Sequence, residues 1–225
     1  MLATYGLQRQ RRTLPWYADS STQNNAISIV GNVAEGNQGN GVKFGNFPGS
    51  GNFLTTHLNA IGTSNFTLET FFNATAFESD PDLNMLFCIG GDAVYTSSID
   101  LSFFSNATIY VSSGADSITS TATFSYNVWN HVAFVRNGTA ITLYLNGVSI
   151  GSAISNTNIS QTFTYIGAND AGNRYRPYNG KITGLRVVKG AALYTSNFIV
   201  PKTLPIAVNG TQLLLNFGAS AVPTV

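Results

Sequence analysis

The sequence is poor in charge and in cysteine. Only 9% of its 225 residues are Asp, Glu, Lys or Arg, against about 25% in a typical soluble domain. The formal net charge of +1 gives no overall attraction to nucleic acids or anionic membranes, so we expect neither as a partner. A single cysteine, Cys88, excludes an intrachain disulfide, and its apolar neighbours Phe87 and Ile89 predict a buried structural thiol.

Long apolar runs and helical periodicity are also missing. No stretch reaches the roughly 18 apolar residues of a transmembrane helix, and residues 1–15 lack the apolar core of a signal peptide. There are no heptads typical of a fibre stalk, and residues 191–194 offer at most a short helical turn. A chain of this length can nevertheless bury a substantial core.

Short alternating runs joined by turn residues are abundant instead. In residues 141–145 the apolar side chains occupy every second position, which places them on one face of a strand. Two Asn-Gly pairs, Asn137-Gly138 and Asn146-Gly147, flank this run, and such pairs favour type I′ hairpin turns. Residues 129–151 are therefore predicted to form a three-stranded antiparallel meander.

Similar runs recur along the chain. They predict strands at residues 26–31, 53–56, 66–72, 85–89, 99–104, 108–111, 118–123, 163–166, 181–188 and 213–217. Residues 32–51 are rich in glycine and are interpreted as turns. The prediction is an all-β fold, an antiparallel two-sheet jelly-roll sandwich. Residues 1–25 would form an extended N-terminal arm, and residues 26–225 the domain.

Four segments, in order, resemble a known family. They are GNFL at 51–54, NFTLETFF at 65–72, WNHVAFVR with LYLNG within 129–147, and YNGKITGLR at 178–186. Together they are similar to the laminin G-like and pentraxin-like jelly rolls of the concanavalin A-like lectin/glucanase superfamily. The resemblance implies a lectin-like sandwich over about residues 26–217.

A narrower resemblance concerns the segment after the last of these motifs. Residues 187–194 (VVKGAALY), followed by Asn197-Phe198 and Pro201, look like the end of laminin G-like domains in tailed-bacteriophage virion proteins. Residues 17–21 and 27–32 are similar to the same proteins. This resemblance implies a chain made in the host cytoplasm and located in the virion.

Catalysis is not expected. Retaining glycosidases need two carboxyl groups about 5 Å apart, and glucanases of the superfamily supply them with a Glu-x-Asp-x-Glu pattern. Here Glu69 stands alone in its strand. We expect it to accept hydrogen bonds from backbone donors, or to pair with Arg136 or Arg186, inside the sandwich, because a buried carboxylate needs a partner. His131 is expected to be a structural, hydrogen-bonded histidine.

The resemblance makes a calcium ion the cofactor to consider. Relatives bind Ca²⁺ through loop oxygens, and the acids within residues 78–82, together with Asn169 and Asp170, could supply some ligands. Neither cluster matches a calcium motif of the family residue by residue. We therefore expect no cofactor, with calcium as the open alternative.

Two segments carry the candidate binding residues. The first is a loop rich in Asn, Arg and Tyr, whose side chains suit either a glycan or a protein surface. Its candidates are Asn169, Asp170, Asn173, Arg174, Tyr175, Arg176 and Tyr178. The second is the arm, which is expected to anchor on a neighbouring subunit and to become ordered there. Its candidates are Arg9, Arg11, Arg12, Trp16 and Tyr17.

Two functions follow from these features. The first is a non-enzymatic phage structural protein, a capsid decoration or cement protein. It would be present in many copies or as a homo-oligomer and would dock on capsid or tail proteins. The alternative is a host-recognition module of a tail or head fibre that binds cell-surface glycan. A third hypothesis is a soluble lectin outside any virus.

Overall fold

The fold is built from strands. A computed structural model describes residues 15–78, 83–91, 96–169 and 176–225, and within these ranges it contains fifteen strands and no helix. The strands are β1 (Ser28–Val30), β2 (Ala34–Gly39), β3 (Val42–Pro48), β4 (Phe53–His57), β5 (Phe66–Ala76), β6 (Asn84–Ile89), β7 (Ile99–Phe103), β8 (Thr108–Ser113), β9 (Asp116–Thr123), β10 (Asn130–Asn137), β11 (Ala140–Leu145), β12 (Val148–Ile154), β13 (Phe163–Ile166), β14 (Asn179–Lys189) and β15 (Thr211–Leu215).

The strands form two antiparallel sheets. The seven-stranded sheet has the order β1-β4-β13-β6-β7-β8-β9. The eight-stranded sheet has the order β12-β11-β10-β5-β14-β3-β2, and β15 pairs with β14 beside β3. This arrangement confirms the all-β jelly-roll sandwich predicted from the sequence.

The predicted meander is β10-β11-β12, which pairs in antiparallel register at one side of the eight-stranded sheet. Only one of its two turns has the predicted form. Asn146 and Gly147 both have positive φ, 49° and 81°, as a type I′ turn requires. In the other turn Asn137 ends β10, so the central residues are Gly138 and Thr139 rather than the Asn-Gly pair.

The core lies between the sheets and follows the alternation of the strands. On β5 the side chains of Phe66, Leu68 and Phe72 point inward, and on β10 Val132 and Phe134 do the same. All five are completely or almost completely buried. Thus the even-numbered positions of both paired strands form the inner face, and the odd-numbered ones form the outer face.

The outer face of the eight-stranded sheet is covered by the chain itself. Residues 190–207, which connect β14 to β15, cross it without regular structure. Tyr194 and Phe198 stack on each other, with ring centroids 3.7 Å apart, and pack against Ala133, Val135 and Tyr144. This face is therefore largely closed to ligands.

Two strands were missed in the glycine-rich stretch 32–51, which forms the hairpin β2-β3. Asn40 and Gly41 form its turn, with φ of 52° and 81°, whereas Gly36 and Gly45 are needed within the strands because aromatic rings lie over the backbone. A Cβ atom at Gly36 would lie 2.0 Å from the ring of Phe44, and one at Gly45 would lie 2.8 Å from the ring of Phe217. Glycine is therefore a requirement of packing here, although it usually indicates a turn.

The described part of the predicted arm, residues 15–25, lies on the sandwich. The Asp19 carboxylate accepts hydrogen bonds from the backbone N–H groups of Ser21, Asn25 and Leu214, at 2.8–2.9 Å. The Ser20 N–H donates to the Leu214 carbonyl oxygen. Residues 19 and 20 thus attach the chain to β15.

Trp16 also packs on its own domain. Its ring lies 5.9 Å from that of Phe217 and 5.3 Å from that of Tyr17, measured between centroids. Trp16→Ala is expected to lower the free energy of unfolding by about 1–2 kcal/mol, less than for a fully buried tryptophan because the ring is only half-buried. Urea unfolding measures this change. An unchanged midpoint would contradict the assignment of residue 16 to the domain.

Candidate functional site

The predicted loop 169–178 is divided by the structure. Asp170, Asn173, Arg174 and Tyr175 lie outside the described residues. Tyr178 is completely buried, its hydroxyl donates to the Lys181 carbonyl oxygen at 3.0 Å, and its ring packs beside Phe47 and Phe103. Burial raises the pKa of Tyr178 well above its ordinary value. The expectation that Tyr178 contacts a ligand is corrected, because the residue belongs to the core.

Asn169 and Arg176 border this loop. Arg176 is half-buried, and its carbonyl oxygen accepts a hydrogen bond from the Met85 N–H at 3.0 Å. Asn169 is 1% exposed, and neither atom of its side-chain amide has a hydrogen-bond partner within the described part of the chain. A Cβ atom at Gly91 would lie 3.1 Å from the Asn169 carbonyl oxygen and 3.4 Å from the Tyr165 ring. Asn169 therefore lies close to β13.

The binding residues predicted in the arm are only partly described. Arg9, Arg11 and Arg12 lie outside the described residues. Trp16 and Tyr17 are half-buried next to β15, so both aromatic side chains make contacts within their own domain.

Glu69 forms a buried charged cluster, and Arg186 is its partner, as one of the alternatives predicted. The Glu69 Oε1 atom accepts a hydrogen bond from Arg186 Nε at 2.7 Å and a second from Arg186 Nη2. Its Oε2 atom is 3.2 Å from His131 Nε2 and accepts a hydrogen bond from the Tyr194 hydroxyl at 2.7 Å. The cluster lies on the outer face of the eight-stranded sheet beneath residues 190–207, and not between the sheets as expected.

The electrostatics of this cluster explain its stability. Burial alone would raise the pKa of Glu69, but the hydrogen bond and charge of His131, the charge of Arg186 and the hydrogen bond from Tyr194 together lower it below its ordinary value. The pKa of Tyr194 is raised, mainly because the residue is buried and also because the Glu69 carboxylate is beside it. Glu69 is 0% exposed and both of its oxygens have hydrogen-bond partners, so it serves as a structural group.

Arg136, the other alternative partner of Glu69, has a different role. It points into the sandwich and donates to the carbonyl oxygens of Gly62, Ser64 and Thr157 at 2.6–2.9 Å. Its guanidinium also lies 5.1 Å from the centroid of the Phe66 ring. Arg136 therefore ties two loops to β10.

The acids considered for calcium do not form a complete site in the described part of the chain. The Glu78 Oε1 atom accepts a hydrogen bond from the Asn179 amide at 2.6 Å, while residues 79–82 and 170 lie outside the described ranges. Among the described residues, no three His, Cys, Asp or Glu side chains lie together as ligands for a metal ion. Cys88 is completely buried, as predicted.

A row of aromatic side chains on the outer face of the seven-stranded sheet was not predicted. His57 ends β4, while Phe163 and Tyr165 alternate along the paired strand β13. The ring centroids of His57 and Phe163 are 4.8 Å apart, as are those of Phe163 and Tyr165. His57 is exposed and the other two are half-buried. We call these three residues the aromatic row.

The surroundings of the aromatic row are polar but uncharged. Phe53 lies beneath one end, with its ring 5.9 Å from that of Tyr165. Thr55 is directly opposite Tyr165 and is half-buried, and Ser28 of the edge strand β1 is exposed next to Thr55. Rings flanked by hydroxyl groups on an accessible surface are typical of a binding site.

The sequence contained a signal for this row. The alternation in Phe53-x-Thr55-x-His57 and in Phe163-x-Tyr165 places these residues on one face of each strand. It does not tell which strands are neighbours, and β4 and β13 are far apart in the sequence.

A family model described as the concanavalin A-like lectin/glucanases superfamily matches residues 44–193. The chain belongs to this superfamily. No curated protein matches it by sequence. The superfamily's name covers both lectins and glucanases, so membership alone does not determine whether a protein binds or cleaves a glycan.

Solved structures with the same fold include two proteins whose names refer to carbohydrate and one phage tailspike. One is domain 4 of an extracellular arabinanase from Geobacillus stearothermophilus, in complex with arabinotriose (16% identity, 75% of this chain and 84% of that one, TM-score 0.54). Another is the enzymatically active domain of tailspike protein 2 of bacteriophage CBA120 (13%, 85% and 33%, TM-score 0.59). A third is a proposed carbohydrate-binding protein from Bacteroides ovatus (20%, 89% and 51%, TM-score 0.51).

These identities establish a shared fold. The chain spans about half of the length of the Bacteroides ovatus protein and of two toxin binding domains with the same fold. In the described part of the chain, no helix is long and apolar enough to cross a membrane.

Proposed function

We propose that the chain is a non-catalytic glycan-binding module that holds a sugar chain against the aromatic row. The observation that carries this proposal is the position of His57, Phe163 and Tyr165 side by side on the outer face of the seven-stranded sheet, where His57 is exposed and the other two rings are half-buried. The outer face of the other sheet is covered by residues 190–207.

The chemistry of the row suits a sugar. Aromatic rings offer flat apolar surfaces, and a pyranose ring presents C–H groups on its faces and hydroxyl groups around its edge. Thr55 and Ser28 supply hydroxyl groups beside the rings. A few polar groups around apolar rings give orientation and specificity.

The comparisons agree with this proposal. A structure with the same fold contains arabinotriose, and another is named as a proposed carbohydrate-binding protein. The carboxylate that could have suggested hydrolysis, Glu69, is sealed under residues 190–207 with both oxygens occupied. We therefore assign binding without hydrolysis.

A screen of the purified chain against immobilised oligosaccharides tests the proposal. Saturable binding to at least one of them is expected, together with no release of reducing ends after prolonged incubation. The absence of binding across a broad panel at millimolar sugar would overturn it. Hydrolysis that disappears in Glu69→Gln would overturn the assignment as non-catalytic.

A second candidate is a structural role in a phage particle, as a decoration protein on the capsid or tail. Residues 187–201 carry the phage resemblance. Ile199 in this stretch is 87% exposed, and Ile206, a few residues further along the chain, is 70% exposed. A cleft of about 480 Å³ lies between residues 199–202 and 222–225. Exposed apolar side chains beside a cleft suit contact with another protein. Both roles are compatible with location in a virion.

Removal of residues 1–14 tests this second role without disturbing Trp16. If the arm anchors the protein, the shortened chain is expected to keep its melting temperature and to be lost from purified particles. The measurement is the copy number per particle by quantitative mass spectrometry. Full incorporation of the shortened chain would contradict anchoring by the arm.

A further inference from the structure

We infer that the aromatic row selects uncharged glycans in the form of single, soluble chains. This inference rests on the proposed function and adds the class of ligand. Two independent observations support it, one from the charges around the row and one from the angles between its rings.

The first observation is the absence of charge in the segments that carry and flank the row. Residues 23–32, 49–62 and 158–169 contain no Asp, Glu, Lys or Arg. They include the strands β1, β4 and β13 and the chain on both sides of each.

Among the described residues, two charged side chains near this region have hydrogen-bond partners. The Lys189 ammonium group donates to the Ala60 carbonyl oxygen at 2.7 Å, beyond the His57 end of β4. On the far side of β13, Asp100 of β7 shares the outer face and is 8% exposed, and its carboxylate accepts from Ser112 at 3.4 Å.

An acidic sugar would therefore lose more than it gains here. Its carboxylate would give up water on contact with the rings, and neither Thr55 nor Ser28 offers a compensating positive charge. A neutral sugar pays no such cost, because its hydroxyl groups can exchange water for the Thr and Ser hydroxyl groups. The surface thus discriminates against uronic and sialic acids by desolvation.

The second observation is that neighbouring rings are not parallel. The ring planes of His57 and Phe163 meet at 82°, those of Phe163 and Tyr165 at 64°, and those of Tyr165 and Phe53 at 50°. A flat crystalline polysaccharide surface would touch several rings only if they were coplanar. Tilted rings suit a single flexible chain, whose successive sugars can turn to meet each ring.

The test uses three kinds of probe with the full chain. They are neutral oligosaccharides (xylo-, cello- and arabino-oligosaccharides), the acidic oligogalacturonate, and microcrystalline cellulose. A galactose-terminated glycan and its sialylated form provide a matched pair. We expect binding to one or more neutral soluble chains, at least tenfold weaker binding to acidic ones, and no sedimentation with the crystalline polymer.

Ser28→Lys tests whether this surface sets the charge preference, because the substitution would not change glycan selectivity if Ser28 had only a structural role. It introduces a cation on the exposed edge strand opposite Thr55. Relative to Ser28→Gln, which removes the same hydroxyl group, we expect Ser28→Lys to bind acidic glycans up to about fivefold more tightly and neutral glycans equally well. Ser28→Gln is the matched control, with a long but uncharged side chain.

Each outcome is decisive. Preference for acidic glycans in the native chain, or sedimentation with crystalline polymer without binding to soluble chains, overturns this inference and leaves the proposed glycan binding intact. If the chain binds none of these probes and no sugar of a wider panel, the proposed function is overturned as well. A preference for neutral sugars in the native chain that becomes smaller in Ser28→Lys supports both this inference and the proposed function.

Discussion

Replacement of Phe163 or Tyr165 by alanine is expected to weaken glycan binding by about thirtyfold each. The loss corresponds to about 2 kcal/mol, the size typical of a residue that dominates an interface. Both rings are half-buried on the outer face of the seven-stranded sheet, and their centroids are 4.8 Å apart. Isothermal titration with the oligosaccharide that binds best measures the change in Kd.

A matched control exists on the same sheet. Phe104 is also half-buried and touches one other aromatic ring, Tyr110, at 6.0 Å between centroids. It follows β7, which is separated from β13 by β6. Phe104→Ala is expected to leave Kd unchanged. Equal weakening by all three variants would show that binding depends on overall stability rather than on the row.

Replacement of Glu69 by glutamine is expected to cause the largest loss of stability, about 3 kcal/mol. Removal of one partner from a buried ion pair leaves the other charge without compensation, and here Arg186, His131 and Tyr194 all contact the same carboxylate. Urea unfolding at neutral pH measures the change. Glu35→Gln is the control, since Glu35 forms an exposed pair with Lys43, and it should cost less than about 1 kcal/mol.

The stability that Glu69 provides also depends on pH. Its pKa is lowered in the folded state, so its contribution is fully present above the ordinary pKa of glutamate. That contribution is lost as the pH falls through the folded-state value. The difference in unfolding free energy between the native chain and Glu69→Gln should therefore shrink in acid. A constant difference from pH 7 to pH 3 would contradict the charged state of Glu69.

The sequence predicted most strands because their side chains alternate between a buried and an exposed face. The hairpin β2-β3 escaped for a physical reason, since Gly36 and Gly45 lie within its strands and make room for the rings of Phe44 and Phe217. Contacts between residues distant in the chain produce such requirements, and periodicity alone does not record them.

The candidate sites were harder to predict for the same reason. Tyr178 looks like a contact residue in its loop, yet the packing of Phe47 and Phe103 around it makes it part of the core. Arg186 was one of the alternative partners predicted for Glu69, but the position of the pair depends on residues 190–207, which have no periodicity that would reveal what they cover. The aromatic row exists only because β4 pairs with β13.

The most direct test of the account is a map of where a bound glycan lies. NMR chemical-shift changes on titration with a neutral oligosaccharide that binds should be largest at residues 53–57 and 163–165, followed by Ser28 and Asn169. Changes concentrated instead at residues 199–202 and 222–225, or spread over the covered face of the eight-stranded sheet, would contradict the assignment of the aromatic row as the glycan-binding site.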